Sequence, residues 1–339
     1  MKKAILMIAV CLMAFATTTQ AATEYTGKVF LQHNGNITQT FNGDEISNAI
    51  EAAVDGDTLF LSKGIFKSGF TINKSISLIG SGAEKGYIET QSSCLDWNGN
   101  PIIEGDDNQT KISVAIEGVV TGSNFNMQKN IGNLTFRKCY IENYLEFNSS
   151  ANIKTATIDR CLIRGGFTLF GTIENLLVKN CKIYYINSSS QNNSLSSSCQ
   201  FINCNIRNVS TNTKAIFVNS IINEVGNGTS DFLGTNAALV NTLYHKMNGY
   251  DPMEQTTQQD CWSTTETLIN DDQNKLDCTI TADQLKIAGY LGLDDTVVGV
   301  EGGVNPYSLT IHAPSINSKS TNIDLTNKKV TINVNVTAN

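Results

Sequence analysis

Five residues in the middle of the chain have side chains that could bind an anionic sugar chain. These candidate ligand-binding residues are basic except for one tyrosine: Arg160, Arg164, Lys182, Tyr184 and Arg207. A lysine or arginine can remove the proton next to a sugar carboxylate while Ca²⁺ or a second arginine neutralises the acid, which is the chemistry of a polysaccharide lyase. The plainer alternative, which we favour, is a solvated β face whose charges keep the protein soluble.

No second kind of catalytic site can be assembled from the sequence. Glycoside hydrolysis needs two carboxylates at a fixed distance, whereas the paired aspartates at 106–107, 271–272 and 294–295 are adjacent and lie in polar turns. The histidines at 33, 245 and 312 are scattered, so a His-based triad has no support. An enzymatic activity, if there is one, would be that of a lyase. No cofactor is expected apart from the Ca²⁺ that a lyase could need.

The basic residues lie beside a cysteine that recurs in one local slot. The slot is found in "FRKCYI" (136–141), "IDRCLI" (158–163), "VKNCKI" (178–183) and "FINCNI" (201–206), with Ile always two residues after the cysteine. The cysteines are 22, 20 and 23 residues apart, which is the length of one turn of a β-solenoid. Strands of successive turns stack about 4.8 Å apart, so equivalent side chains should form columns. We therefore predict a buried ladder of Cys139, Cys161, Cys181 and Cys204, continued by Ser220.

The same register predicts two basic columns. Lys138 and Arg160 should lie in one of them, and Arg164 and Arg207 should lie in the other with Tyr184 between them.

Disulfides and a zinc site account for the recurring cysteines less well than a ladder does. Neighbouring disulfides would need Cβ atoms about 3.8 Å apart, closer than a straight column provides. Zinc sites usually take paired cysteines that converge on the metal, whereas these four are single. Cys261 and Cys278 lie outside these four slots and could pair with each other in an oxidising compartment.

The solenoid should begin after a short amphipathic helix. The segment "DEISNAIEAAVDGD" (44–57) has Asp44 as the expected N-cap and places Ile46, Ala49 and Ile50 on one face. Short alternating runs between glycines at 57–82 then predict strands of about four residues.

This opening carries a family resemblance. The string "AIEAAVDGDTLFLSKGIF", followed by "FTINKSISLIGSG", resembles the first coils of right-handed parallel β-helix proteins of the pectin-lyase-like superfamily. The resemblance implies an all-β, right-handed parallel β-helix with a short N-terminal capping helix. It leaves the activity open, because that superfamily contains both polysaccharide-cleaving enzymes and non-catalytic members.

A second segment resembles one enzyme family only in part. "GTSDFLGTNAALVN" (228–241) is similar to the part of pectin methylesterases that carries a catalytic aspartate, which would be Asp231 here. That family also needs an aspartate in a "QDTL" context and an arginine in "LGRPW". The string "GDTL" (56–59) lies in the first coil, and the sequence has no Arg-Pro pair. We expect Asp231 to be a turn residue.

The last third of the chain has a different pattern. A polar stretch after residue 245 leads to a small helix at "TADQLKIAG", and "NKKVTINVNVTAN" alternates as one amphipathic strand that should pair with "STNIDLTN". The run "GYLGLDDTVVGVEGGVNPYSL" resembles the C-terminal region of exported bacterial β-helix repeat proteins, although Asp295 replaces the glycine of their Asp-Gly turn. We expect a C-terminal cap and small β appendage over 246–339, after a β-helix over 23–245.

The N-terminus and the charge indicate an exported protein. Residues 1–22 have a basic start, an apolar stretch and small residues before the expected cleavage site, which is typical of a signal peptide. The chain has a net charge of −7, and no later segment is long and apolar enough to predict a membrane span. An acidic exported chain is not expected to bind nucleic acid. We expect it to be secreted, periplasmic or on the outer cell surface.

The function that these observations favour is non-catalytic binding of a glycan or cell-surface polysaccharide. A lyase acting on an acidic polysaccharide is the first alternative, and an adhesive or structural solenoid without a sugar ligand is the second.

Overall fold

The computed structural model describes most of the chain after residue 23. The described residues are 24–84, 86, 91–107, 111–188, 199–211, 213–226, 233, 237–246, 250–270, 275–311, 315–324 and 329–337. The predicted signal peptide and Asp231 lie outside them.

The chain winds into a parallel β-solenoid of about eight turns. Strands are numbered in chain order, and each turn has up to three faces. The first face is formed by the strands β3 (Thr58–Leu61), β6 (Ser77–Ile79), β9 (Ile112–Glu117), β12 (Asn130–Arg137), β15 (Asn152–Asp159), β18 (Thr172–Lys179), β20 (Cys199–Ile202), β22 (Ile216–Val218), β24 (Ala238–Val240) and β26 (Thr257–Gln259).

The other two faces are joined into one sheet. The second face contains β4 (Gly64–Phe66), β7 (Ser93–Leu95), β10 (Val119–Thr121), β13 (Tyr140–Ile141), β16 (Leu162–Ile163), β19 (Lys182–Ser188), β21 (Asn205–Val209), β23 (Ile221–Val225), β25 (Leu243–His245) and β27 (Trp262–Thr264). The third face contains β5 (Thr71–Ile72), β8 (Ile102–Glu104), β11 (Phe125–Gln128), β14 (Tyr144–Phe147) and β17 (Gly166–Leu169). Strand β19 is long enough to pair on both faces. Parallel stacking continues past residue 245, as far as Thr264.

The N-terminal end of the solenoid is covered by antiparallel strands and a helix. Strand β1 (Lys28–His33) pairs antiparallel with both β2 (Asn36–Asn42) and β3, and α1 (Ile46–Ala52) follows a 3-10 turn at Gly43–Glu45. The apolar face predicted for this helix is buried. The predicted N-cap was wrong, because the helical turn already begins at Gly43. Asn42 flanks it, and the Asn42 backbone N–H donates to Glu45.

The recurring cysteines form the predicted buried ladder. Cys139, Cys161, Cys181 and Cys204 are buried free thiols, and Ser220, Thr242 and Cys261 continue their column. The suggested pairing of Cys261 with Cys278 was wrong, because both are free thiols and Cys261 occupies a position of the ladder. The backbone N–H of Cys161 donates to the Cys181 Sγ over 3.3 Å, and that of Cys204 donates to the Ser220 Oγ over 3.1 Å. The slot therefore takes a small residue with a sulfur or oxygen acceptor, because a backbone N–H at this corner needs a partner from the next coil.

The residue before each ladder position turns the chain from the first face to the second. These corner residues all have left-handed backbone conformations, with φ between 45° and 53°: Lys138, Arg160, Asn180, Asn203, Asn219, Asn241 and Asp260. Asparagine and aspartate tolerate this conformation better than most residues, which explains why they hold five of the seven places. We call this set the corner column.

A C-terminal segment lies along the corner column. This segment, residues 276–311, contains α2 (Ala282–Ile287) and is named the strap. The Gly299 N–H donates to the Asn219 carbonyl over 2.7 Å, and the Asn180 Nδ2 donates to the Gly302 carbonyl over 2.8 Å. Further on, the Lys138 ammonium donates to the Thr310 carbonyl. The strap thus runs back over several coils toward the N-terminal end.

The strap also has its own apolar contacts with the solenoid. Its buried residues Leu276, Leu285, Val298 and Leu309 form a second core with outward residues of the second face, such as Val120, Leu162 and Leu243. Asp295, which replaces the expected turn glycine, has a φ of 60°, the conformation that glycine favours. Beyond the strap, β28 (Ser315–Asp324) pairs antiparallel with β29 (Lys329–Thr337), which confirms the predicted pairing.

The corner column predicts how Asn180 substitutions rank. Asn180→Gly keeps the left-handed backbone but removes the hydrogen bond to Gly302, and we expect a loss of about 1–2 kcal/mol in the free energy of unfolding. Asn180→Ala also places a Cβ in an unfavourable backbone conformation, so its loss should be larger by about 1 kcal/mol. Urea unfolding of both variants measures the difference. If the alanine variant were as stable as the glycine variant or more so, the role given to the corner conformation would be wrong.

The hydrogen bonds of Asp96 should stabilise the fold at neutral pH, and this stabilisation should be lost in acid. Its buried carboxylate accepts hydrogen bonds from Ser68 Oγ at 2.6 Å, Tyr25 Oη at 2.8 Å and Asn98 Nδ2 at 2.9 Å. Burial alone would raise the pKa of Asp96, but these bonds outweigh it and the pKa is lowered. A lowered carboxyl pKa stabilises the fold above the unfolded value of about 4, and this contribution is lost as pH falls through the folded pKa.

We therefore expect Asp96→Asn to lower the free energy of unfolding by about 1.5–3 kcal/mol at pH 7. The difference from the unsubstituted protein should narrow as pH falls below about 4. Urea unfolding across this pH range measures it, and a difference that stayed constant would contradict the assignment.

Candidate functional site

The strand register brings three of the predicted residues together. Ile163, Ile183 and Ile206 are paired from coil to coil, so the residues that follow them, Arg164, Tyr184 and Arg207, occupy equivalent positions. They lie where the second face turns into the third. In the preceding coils the same position is held by Asp96, Gly122 and Glu142. We call this set of positions the edge column.

Arg164 is held by its neighbours in the coil before it. Its guanidinium forms an ion pair with Glu142 and donates to the Tyr140 Oη over 3.2 Å, and only 16% of its side chain is exposed. Burial would lower the pKa of Arg164, but the bonds to Glu142 and Tyr140 outweigh it and the pKa is raised. Burial and the Glu142 carboxylate raise the pKa of Tyr140 to about 12. Neither group is suited to removing a proton near neutral pH.

The next two members of the column continue the pattern of one polar or aromatic group per coil. Arg207 forms an ion pair with Glu224. Tyr184 is half-buried and packs against the second core. Arg164 and Arg207 of the edge column are thus each paired with a carboxylate, and Tyr184 occupies the coil between them.

The remaining two predicted residues lie elsewhere. Arg160 belongs to the corner column, where its Nη2 is 2.7 Å from the Asp159 carboxylate. Lys182 lies under the strap, with 9% of its side chain exposed. Its ammonium forms an ion pair with Asp277 and sits 4.5 Å from the centre of the Tyr307 ring. Lys182 therefore helps to hold the strap on the solenoid.

Two exposed aromatic residues near the edge column were not predicted from the sequence as site residues. The Trp97 side chain is 52% exposed, and its indole lies on Gly122, where an added Cβ would be only 2.4 Å from the ring. Tyr144, 39% exposed, begins β14 on the adjoining third face. Its backbone N–H donates to Asn124, whose Nδ2 donates to the Glu146 carboxylate over 3.1 Å. A tryptophan within the polar loop "DWNGN" was the only sequence signal for this arrangement.

This arrangement suits hydrogen bonding and stacking better than charge attraction. The ion pairs with Glu142 and Glu224 place Arg164 and Arg207 each beside a carboxylate. Such a surface offers donors and acceptors to hydroxyl groups, while the flat indole offers an apolar surface to a ring.

The part of the chain that the structure describes holds no group of three or more His, Cys, Asp or Glu side chains placed to bind a metal ion. Among the same residues, no helix is long and apolar enough to cross a membrane. No protein family, curated protein sequence or solved structure gave a match to this chain.

Proposed function

We propose that this protein is an exported β-solenoid that binds a neutral glycan along the edge column, without cleaving it. The observation that carries the proposal is the indole of Trp97, which is half exposed and lies on Gly122, one coil before Glu142 in the edge column. A pyranose ring has an apolar face that can stack on such a ring, and its hydroxyls can bond to the paired side chains beside it.

The pairing of charges supports a neutral ligand over an acidic one. A carboxylated sugar would have to compete with Glu142 for Arg164 and with Glu224 for Arg207. Sugar hydroxyls can bond to such pairs without separating them, because a hydroxyl both donates and accepts. Successive coils stack about 4.8 Å apart, so an extended glycan that runs along the edge column could contact several of them.

Lyase activity on an acidic polysaccharide has less support. The raised pKa of Arg164 and the burial of Lys182 under the strap leave both groups poorly placed to act as the base. An adhesive or structural solenoid without a sugar ligand remains the second alternative, and it would give the exposed Trp97 no role.

Membership of the pectin-lyase-like superfamily and export are parts of the same proposal. The stacked parallel coils, the N-terminal helix and the cysteine ladder support the first. The signal-peptide pattern of residues 1–22 supports the second.

The test is binding of the mature chain to immobilised neutral and acidic polysaccharides, followed by titration with oligosaccharides of any that bind. We expect a neutral glycan to bind and Trp97→Ala to weaken it by at least about tenfold, because a stacked ring contributes about 1–3 kcal/mol. Ile287→Ala removes another exposed apolar side chain, on α2, and should change nothing.

Two outcomes would contradict the proposal. If the Trp97 and Ile287 variants bound the glycan equally well, the edge column would not be the binding site. A rise in the ultraviolet absorbance of unsaturated uronate with an acidic polysaccharide would establish the lyase instead.

A further inference from the structure

We propose a second binding site, on the first face of the solenoid, for a single neutral sugar unit. It is a depression of about 290 Å³ over the N-terminal coils, lined by Gly56, Ser75, Ser77, Ser113, Asn133 and Thr135. These residues lie on or beside β3, β6, β9 and β12, whereas the edge column lies where the second and third faces meet. The site is therefore independent of the proposed function of that column.

The depression results from small side chains in register. Ser77 pairs with Ala115, and Ala115 pairs with Thr135, so three adjacent coils present small residues in one outward column. Beside it, the Ser113 N–H donates to the Ser75 Oγ over 3.1 Å, and Asn133 is paired with Ser113. Further along the first column, Thr135 is followed by Thr157 and then by the larger Leu177, both outside the lining of the depression.

Some hydrogen-bonding groups in the lining of the depression are available to a ligand. Asn133 Nδ2 donates to the Ser113 Oγ over 3.1 Å, which leaves the Asn133 carbonyl oxygen as an acceptor. Within the described residues, the hydroxyls of Ser77 and Thr135 make no hydrogen bond. Hydroxyl and amide groups that are both donors and acceptors match the hydroxyls of a sugar.

The charge at one end of the depression disfavours an acidic ligand. Asp57 is buried there, its Oδ1 is 2.6 Å from the His33 Nδ1, and its Oδ2 accepts the Val54 N–H over 2.9 Å. Burial opposes ionisation, but these bonds outweigh it and lower the pKa of Asp57, so the carboxylate stays charged near neutral pH. The other His33 nitrogen lies 2.9 Å from the Asn34 amide, so neither ring nitrogen is directed to a ligand as a base.

The size of the depression sets the size of the ligand. Small-molecule sites usually have volumes of about 300–1,000 Å³, and this one is at the lower limit. One sugar unit, free or at the end of a chain, is the ligand that such a volume and lining fit. A shallow site of this kind implies weak binding, with a Kd on the order of millimolar.

A substitution that fills the depression with a larger side chain tests whether the depression binds a sugar. Ala115→Leu places a larger side chain on the floor of the depression, and Thr157→Leu makes a matched change two coils further along the same column, outside it. Ligand-detected NMR with a panel of neutral monosaccharides, glucuronate and glucose 6-phosphate measures binding to each variant. Thr135→Val, which removes one hydroxyl at nearly constant volume, serves if Ala115→Leu does not fold.

We expect a neutral monosaccharide to bind, and the acidic sugars to bind more weakly. Ala115→Leu should reduce the affinity for the neutral sugar by at least about tenfold, whereas Thr157→Leu should leave it unchanged. Trp97→Ala should leave this binding unchanged, which separates it from the edge column. The proposal is overturned if no neutral monosaccharide binds, if the two leucine variants behave alike, or if Trp97→Ala abolishes the signal.

Discussion

From Lys138 onward, each coil of this solenoid turns from the first face to the second with one left-handed residue, followed by one small residue that accepts a hydrogen bond from the coil before it. The corner is repeated at nearly constant φ from Lys138 to Asp260. The backbone N–H at each ladder position would lack a hydrogen-bond partner if the next coil shifted in register. A buried unpaired N–H costs about 1–3 kcal/mol. The corner therefore fixes the register of the coils from Lys138 to Asp260.

The surface sites follow from this register. Because equivalent residues align, the small side chains of Ser77, Ala115 and Thr135 in three adjacent coils leave a depression in the surface. The same alignment places Arg164 opposite Glu142 and Arg207 beside Glu224, so the edge column is already paired before a ligand arrives. Side chains held in this way lose little freedom on binding, which favours recognition by hydrogen bonds. The strap adds to this rigidity by crossing several coils at the corner.

The parts of the fold that depend on local repetition could be predicted from the sequence. The cysteine slot recurs with one spacing, so the ladder, the buried isoleucines and the alignment of Arg164 with Arg207 all follow from stacking. The left-handed corner was harder to see, because Lys138 and Arg160 occupy places where asparagine would have signalled the turn.

The parts that depend on distant contacts could not be predicted. Lys182 looked like a surface cation because its partners, Asp277 and Tyr307, are about a hundred residues away in the chain. The exposure of Trp97 depends on Gly122 in the next coil, and the depression depends on side-chain sizes in several coils at once. The sequence pattern thus indicated which residues share a column. Which of those residues are buried is determined by the strap, a segment distant from them in the sequence.

The fluorescence of Trp97 tests glycan binding at the edge column most directly. The chain has two tryptophans, so Trp262→Phe leaves Trp97 as the only one. If a neutral glycan stacks on this indole, its emission should shift to the blue and the shift should saturate with the same affinity as binding measured by calorimetry. If calorimetry shows binding while the emission of Trp97 stays constant, the glycan lies elsewhere and the edge column is not the site.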